Sequence, residues 1–255
     1  MDRRIGAQYY TLRDAITTIE KFEMTCRKVS EIGYKLVQIS GTPLKATDMK
    51  PILDKYNLEV VTSHRGYDDF KNNLKDVIEY NKILGSELCG LGCMPEYART
   101  NLEGFEKFVK EINAIAKVIR AEGLYFGYHN HALEFAKFEG KTMMERLIEE
   151  TASEEVYLIA DTYWLQVGGV NPAKFIRNLG KRIMAIHFKD CAVAPGAFEC
   201  EMAEVGEGNL DWDDIIAACD EAGVKWALVE QDTCKRDPFE SMKISYDYLV
   251  QKGFC

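Results

Sequence analysis

Eight short apolar runs recur along this chain, and each is followed by a longer stretch with helical spacing. The runs cover residues 5–10, 36–40, 59–64, 88–91, 124–131, 156–161, 183–189 and 226–231. Each has the length of a buried strand, and strands that alternate with helices make parallel β/α units. Eight units in 255 residues fit one closed (β/α)8 TIM barrel spanning 1–255 as a single domain. An open doubly wound sheet would carry a Gly-rich turn after its first strand. The segment Gln8-Tyr9-Tyr10-Thr11-Leu12-Arg13 is not such a turn.

The intervening segments support this reading. Residues 17–32 set Ile19, Phe22, Cys26, Val29 and Ile32 on one helical face, and 101–122 repeat the pattern from Phe105 to Ile119. Segments 70–84, 141–150, 172–179, 211–221 and 238–251 read as helices too, while Pro51 shortens the second helix. Asn171 before Pro172, and Asp211, are the helix starts that capping chemistry favours.

Charge narrows the function classes. The chain has 32 basic and 41 acidic residues, a net charge of -9. A phosphate backbone is repelled by such a surface, so nucleic acid is not the expected partner. No apolar run approaches the ~18 residues that span a bilayer, and Met1-Asp2-Arg3-Arg4 leads directly into a strand. The expectation is a cytoplasmic protein with no membrane partner. The eight cysteines are scattered without a CxxC pair, the pattern of free thiols.

The four histidines are His64, His129, His131 and His187. All fall at the C-terminal ends of runs: the third, the fifth (twice) and the seventh. Strand C-termini form the active-site face of a barrel. The sixth run closes on Asp161 and the eighth on Glu230-Gln231-Asp232. A buried carboxylate at the end of an apolar strand is costly unless a cation accompanies it. Barrel closure would gather these residues into a ring suited to one divalent metal: Mn, Zn, Co or Fe, with Mg less well matched. A hydrogen-bonded polar ring without metal is the alternative.

Lys189 follows His187 by two residues and shares its side of the strand. It would hold a developing oxyanion, or else reach into solvent. Tyr163 and Trp164 follow Asp161, placed either to stack on a sugar face or to pack. Gly206-Glu207-Gly208 reads as a loop entering a helix, near a ligand or as a plain turn.

Taken in order, Gln8-Tyr9-Tyr10-Thr11-Leu12-Arg13-Asp14, Tyr128-His129-Asn130-His131 with Glu134-Phe135, Asp161-Thr162, His187-Phe188-Lys189-Asp190, Gly206-Glu207-Gly208 and Glu230-Gln231-Asp232 resemble the sugar phosphate isomerase/epimerase superfamily, the xylose isomerase-like barrels. The resemblance covers essentially the whole chain. It implies a metal held by Glu, Asp, His and Glu from strands five to eight, and Asp161, His187 and Glu230 match. The usual fifth-strand Glu falls on His129. Either His129 or His131 replaces it, or Glu134 swings in; a strand histidine, placed as His129, is the expected ligand because its backbone is better fixed. The implied chemistry is proton abstraction next to the carbonyl of a sugar, keto-sugar or polyol, through an enediolate. The outcome is isomerisation or epimerisation, or dehydration and lyase chemistry, with a mild tilt to the latter because histidines dominate the fifth strand. His131, Glu134 and Lys189 are the expected catalytic groups, and Tyr10, His64, Trp164 and Glu207 the expected substrate contacts. The partner is then a small carbohydrate, and a homo-oligomer is compatible.

Two other classes share the fold. An apurinic endonuclease-like metal nuclease would need more histidines and a basic face. A non-catalytic sugar-binding barrel would have lost ligands that are retained here.

Overall fold

The computed structural model describes residues 1–255. Eight parallel strands close into a barrel: β1 (Gly6–Gln8), β2 (Leu36–Ile39), β3 (Glu59–Arg65), β4 (Leu88–Leu91), β5 (Tyr125–His129), β6 (Val156–Asp161), β7 (Ile183–Phe188) and β8 (Trp226–Val229), with β1 pairing both β2 and β8. Helices α1 (Ile19–Ile32), α2 (Ala46–Lys55), α3 (Tyr67–Asn72), α4 (Leu74–Leu84), α5 (Leu102–Ala121), α6 (Met143–Glu150), α7 (Thr162–Val167), α8 (Pro172–Leu179), α9 (Trp212–Ala222) and α10 (Pro238–Gln251) surround it. The closed eight-stranded barrel expected from the alternation is present.

The core has two parts. Sixty buried apolar residues lie in one cluster that joins strands to helices. In α5 that face is Phe105, Phe108, Val109, Ile112, Ile115, Ala116 and Ile119. A separate plug of seven, Leu36, Val61, Leu88, Ile159, Ala185, Trp226 and Leu228, fills the barrel interior. Side chains alternate across a strand, so the next inward positions toward the C-terminal end follow from the plug. They are Gln38, Asp161, His187 and Glu230, a polar layer on an apolar floor. Register brings them level: Asp161 pairs with His187, and Gln8 with Gln38.

Three local departures from the expected pattern matter for the site. First, β1 stops at Gln8, and Tyr9–Ala15 turns as a 3-10 helix whose first turn is held by the Gln8 side chain accepting from the Tyr10 N–H. Second, β5 ends at His129, which leaves His131 in the following loop. Third, the helical stretch at 70–84 breaks at Asn73, whose φ of -132 and ψ of 37 separate α3 from α4.

Gly90 is dictated by this layer. A Cβ there would lie 2.4 Å from the Ser63 carbonyl oxygen and 2.6 Å from Cδ2 of His64. The glycine lets the imidazole lie flat against β4. Gly90→Ala is therefore expected to cost about 2–3 kcal/mol through overpacking against backbone. Denaturant unfolding checks this, and a midpoint equal to wild type would refute it.

Candidate metal centre

Asp161 is fully buried, and its two oxygens are divided between tasks. Oδ1 accepts from the Trp164 N–H at 2.9 Å and caps α7. Oδ2 has no hydrogen-bond partner. It lies 3.5 Å from Nε2 of His129 and 3.7 Å from Nδ1 of His187. Nδ1 of His187 is in turn 2.8 Å from Oε2 of Glu230, yet it too lacks an aligned hydrogen bond, as does Nε2 of His129. One atom from each of the four residues falls within 4.8 Å of all the others.

Neighbouring groups aim these atoms. His129 donates from Nδ1 to the Gly92 carbonyl at 3.1 Å, which leaves the lone pair of Nε2 for the cluster. Nε2 of His187 is 2.9 Å from Oε1 of Gln38, an acceptor that leaves Nδ1 facing Asp161 and Glu230. Oε1 of Glu230 accepts from Gln8 at 3.0 Å, and the Asp161 N–H donates to Asn130 at 3.1 Å. Outer partners that fix the tautomer and orientation of each ligand are what metal sites require. Ligands about 2.0–2.2 Å from a shared cation sit roughly 3–3.5 Å apart, close to the spacings here. Three orphaned, buried donor atoms and a two-imidazole, two-carboxylate set therefore fit a divalent ion.

Electrostatics agree. Burial alone would depress His187, but the carboxylates of Glu230 and Asp161 outweigh it and hold it at about 9. Burial would raise Asp161 and Glu230, yet Lys189 and the neighbouring histidines keep both well below the usual carboxylate range. Lys189 is held above the usual lysine range: burial opposes its charge, but Asp161, Glu230 and Asp232 surround it. Burial, reinforced by neighbouring histidines, pulls His64 far down and His131 down to about 3, so both rings are neutral at pH 7.

These shifts set a pH dependence. Without metal, His187 carries a proton up to about 9 instead of its ordinary 6.5. Its charge therefore contributes stability that is complete below 6.5 and lost as the pH rises through 9. A ligating nitrogen must be deprotonated, so cation affinity is expected to rise with pH and to level off above about 9, with proton release. Calorimetric titration of Zn2+ in buffers of different ionisation enthalpy measures this; an affinity flat between pH 6 and 9 would contradict it.

His129 and Glu230 of the cluster line an open cavity of about 370 Å³, with Asp161 and His187 fully buried behind them; Gln8, Tyr10, His64, His131, Lys189 and Asp232 are among its other walls. Tyr10 stands at the mouth with its ring against Arg13. His131 packs between His129 (4.7 Å between centroids) and Trp164 (5.4 Å), and its Nδ1 is buried without a partner. Nε2 of His64 is also unpartnered. The Lys189 ammonium lies 5.2 Å from the Trp164 ring centroid.

Trp164 stands behind the cavity wall, against His131 and Lys189, and Glu134 and Glu207 also lie outside the cavity. Glu134 is fully buried, and its oxygens accept from the Tyr128 hydroxyl at 2.6 Å and the His131 N–H at 2.8 Å. Burial pushes it up to about 7. It braces the His131 loop from behind and leaves the cluster to His129. Glu207 is exposed and paired with Arg236 at 2.8 Å. The glycines flanking it serve Asp190, which accepts from the N–H groups of Gly206, Gly208, Leu210 and Cys191 and from Nε1 of Trp212. A Cβ at Gly208 would sit 2.2 Å from Oδ1 of Asp190. The loop is wrapped around a buried carboxylate.

Gln8, Asn130 and Asp232 fall within the sequence motifs without an assigned role, and Gln38 falls in none. A signal existed for the glutamines, which interrupt apolar runs at Gly6-Ala7-Gln8 and Leu36-Val37-Gln38. Only closure reveals their partners.

Comparison with known proteins agrees with this architecture. The sequence model of the xylose isomerase-like TIM barrel family matches residues 26–250. The chain belongs to the xylose isomerase-like TIM barrel family. An inosose dehydratase from Clostridium beijerinckii is 25% identical, with 91% of this chain and 90% of that protein covered. A sugar phosphate isomerase/epimerase from Parabacteroides distasonis is 24% identical and superposes with a TM-score of 0.77 over 97% of both chains. A probable 3-DHS dehydratase from Bacillus anthracis is 13% identical, with a TM-score of 0.77 over 98% of this chain and 99% of that one. No helix is long and apolar enough to cross a membrane.

Proposed function

We propose that the chain is a divalent-metal-dependent enzyme that removes the proton next to the carbonyl of a polyhydroxylated ketone and then expels a β-hydroxyl, a dehydratase of the inosose type. The observation that carries this reading is the convergence of His129 Nε2, Asp161 Oδ2, His187 Nδ1 and Glu230 Oε2 beside a polar cavity that His129 and Glu230 line. When bound there, a cation would polarise the carbonyl and acidify the adjacent C–H.

His131 is the base. Its Nδ1 has no protein partner, and its ring is neutral and wedged between His129 and Trp164. It takes the proton from carbon and returns it to the departing hydroxyl, so water leaves and the histidine ends neutral. Lys189 stays charged and faces the oxygen on which negative charge develops in the enediolate. His64 and Tyr10 bind hydroxyls along the wall, and Glu134 positions His131. Dehydration is favoured over epimerisation on two grounds. The relative that shares 25% identity over nine tenths of the chain is an inosose dehydratase. The wall carboxylate beyond the four, Asp232, is tied to Lys189 at 2.8 Å and is not free to act as a second facing base.

The test is NMR in D2O with the Zn2+- or Mn2+-loaded protein and a panel of inososes and linear keto-sugars. The reading expects deuterium exchange at the carbon beside the carbonyl and loss of one water. Exchange without loss of water would assign an isomerase or epimerase outcome. Neither exchange nor loss from any compound would overturn the enzyme reading.

A further inference from the structure

Asp232 closes the Glu230-Gln231-Asp232 segment and is not part of the four-residue cluster, yet it is the carboxylate nearest the cavity lysine. Nζ of Lys189 is 2.8 Å from Oδ2 of Asp232, 3.2 Å from Oε2 of Glu230 and 3.5 Å from Oδ2 of Asp161. The last two are the same oxygens that a cation would need. An ammonium resting on them competes with any metal ion for the same negative charge. Lys189 is 1% exposed and Asp232 is 25% exposed, so Asp232 sits on the solvent side of the lysine.

Charge makes the arrangement complete only when both cations are present. Asp161, Glu230 and Asp232 carry three negative charges. A dication balances two of them and Lys189 the third, with both histidines neutral. We propose that Asp232 is a positioning residue that draws the Lys189 ammonium off the Asp161 and Glu230 oxygens, so that a divalent ion can take them while the lysine stays in the wall. The inference rests on reading the four residues as a cation site.

This makes Lys189 a competitor of the metal and Asp232 the group that relieves the competition. Substituting the lysine tightens metal binding. Substituting the aspartate weakens it, but only while the lysine is there to fall back on the cluster. The pair is a double-mutant cycle read in cation affinity rather than in turnover.

The experiment measures Zn2+ and Mn2+ affinity of the full chain by chelator competition, for wild type, Lys189→Met, Asp232→Asn, the double variant, Asp232→Glu and Glu230→Gln, each confirmed folded by circular dichroism. Lys189→Met is expected to bind about tenfold tighter, because it removes a unit charge beside the ligands. Asp232→Asn is expected to bind about tenfold weaker in the wild-type background and no more than about threefold weaker beside Lys189→Met, with Asp232→Glu restoring most of the loss. If Glu230→Gln binds as tightly as wild type, the cation reading falls and this inference with it. If Glu230→Gln loses the ion, but Lys189→Met binds no tighter and Asp232→Asn has equal effects in both backgrounds, only the positioning role is overturned.

Discussion

Asp161→Asn is expected to abolish cation uptake and to lower turnover by on the order of a thousandfold, while the barrel stays folded. The substitution separates the two tasks of this side chain. Asparagine keeps an oxygen for the Trp164 N–H that caps α7, so the local turn survives. It replaces the unpartnered Oδ2 with an N–H donor facing Nε2 of His129 and Nδ1 of His187. The lone pair of His129 Nε2 then meets a donor, and His187 loses the carboxylate oxygen with which it would share a cation. Losing the polarisation a metal supplies removes several kcal/mol of transition-state stabilisation, hence the size of the effect. Elemental analysis and steady-state kinetics on the same preparation check it. A variant that retains a stoichiometric ion, or wild-type turnover without one, would refute the assignment.

The second large effect is on stability. Asp190→Ala is expected to cost about 3–5 kcal/mol, because it strands several buried donors at once. The carboxylate accepts from Trp212 Nε1 at 2.6 Å, Cys191 N at 2.7 Å and Gly206 N at 2.9 Å, with Gly208 N and Leu210 N both at 3.2 Å. No neighbouring acceptor replaces it for all five. In a chain of this length that loss lowers the melting temperature by roughly 10 °C. Turnover should fall as well, since Asp190 adjoins Lys189 and anchors the segment that follows β7. Calorimetry tests this directly, and a melting temperature within a degree of wild type would show that the loop does not depend on the carboxylate.

The two predictions mark what could be read from the sequence and what could not. The period of the apolar runs carried the eight strands and the barrel, because parallel strands buried on both faces leave a strong local trace. The strand-end positions of His129, Asp161, His187 and Glu230 carried the ring, because barrel topology turns distant strand ends into neighbours. Local sequence could not say where a strand stops. The fifth run continues through His131, but pairing ends at His129, and that difference of two residues separates a cluster residue from a wall residue. Glu134 shows the same limit. A carboxylate three residues past a histidine is equally compatible with facing the cavity or bracing the loop from behind, and only its contacts with Tyr128 and the His131 N–H decide. The Gly206-Glu207-Gly208 segment has the composition of a ligand loop. The buried carboxylate that it encloses lies sixteen residues upstream, beyond any local pattern.

On the proposed reading, His129, Asp161, His187 and Glu230 hold one divalent ion. The most direct measurement is an anomalous difference map from crystals grown with Mn2+ or Zn2+. One strong peak is expected between His129 Nε2, Asp161 Oδ2, His187 Nδ1 and Glu230 Oε2. A peak ligated by His131 or Glu134 in place of His129, or no peak at this position with the ion in excess, would contradict it.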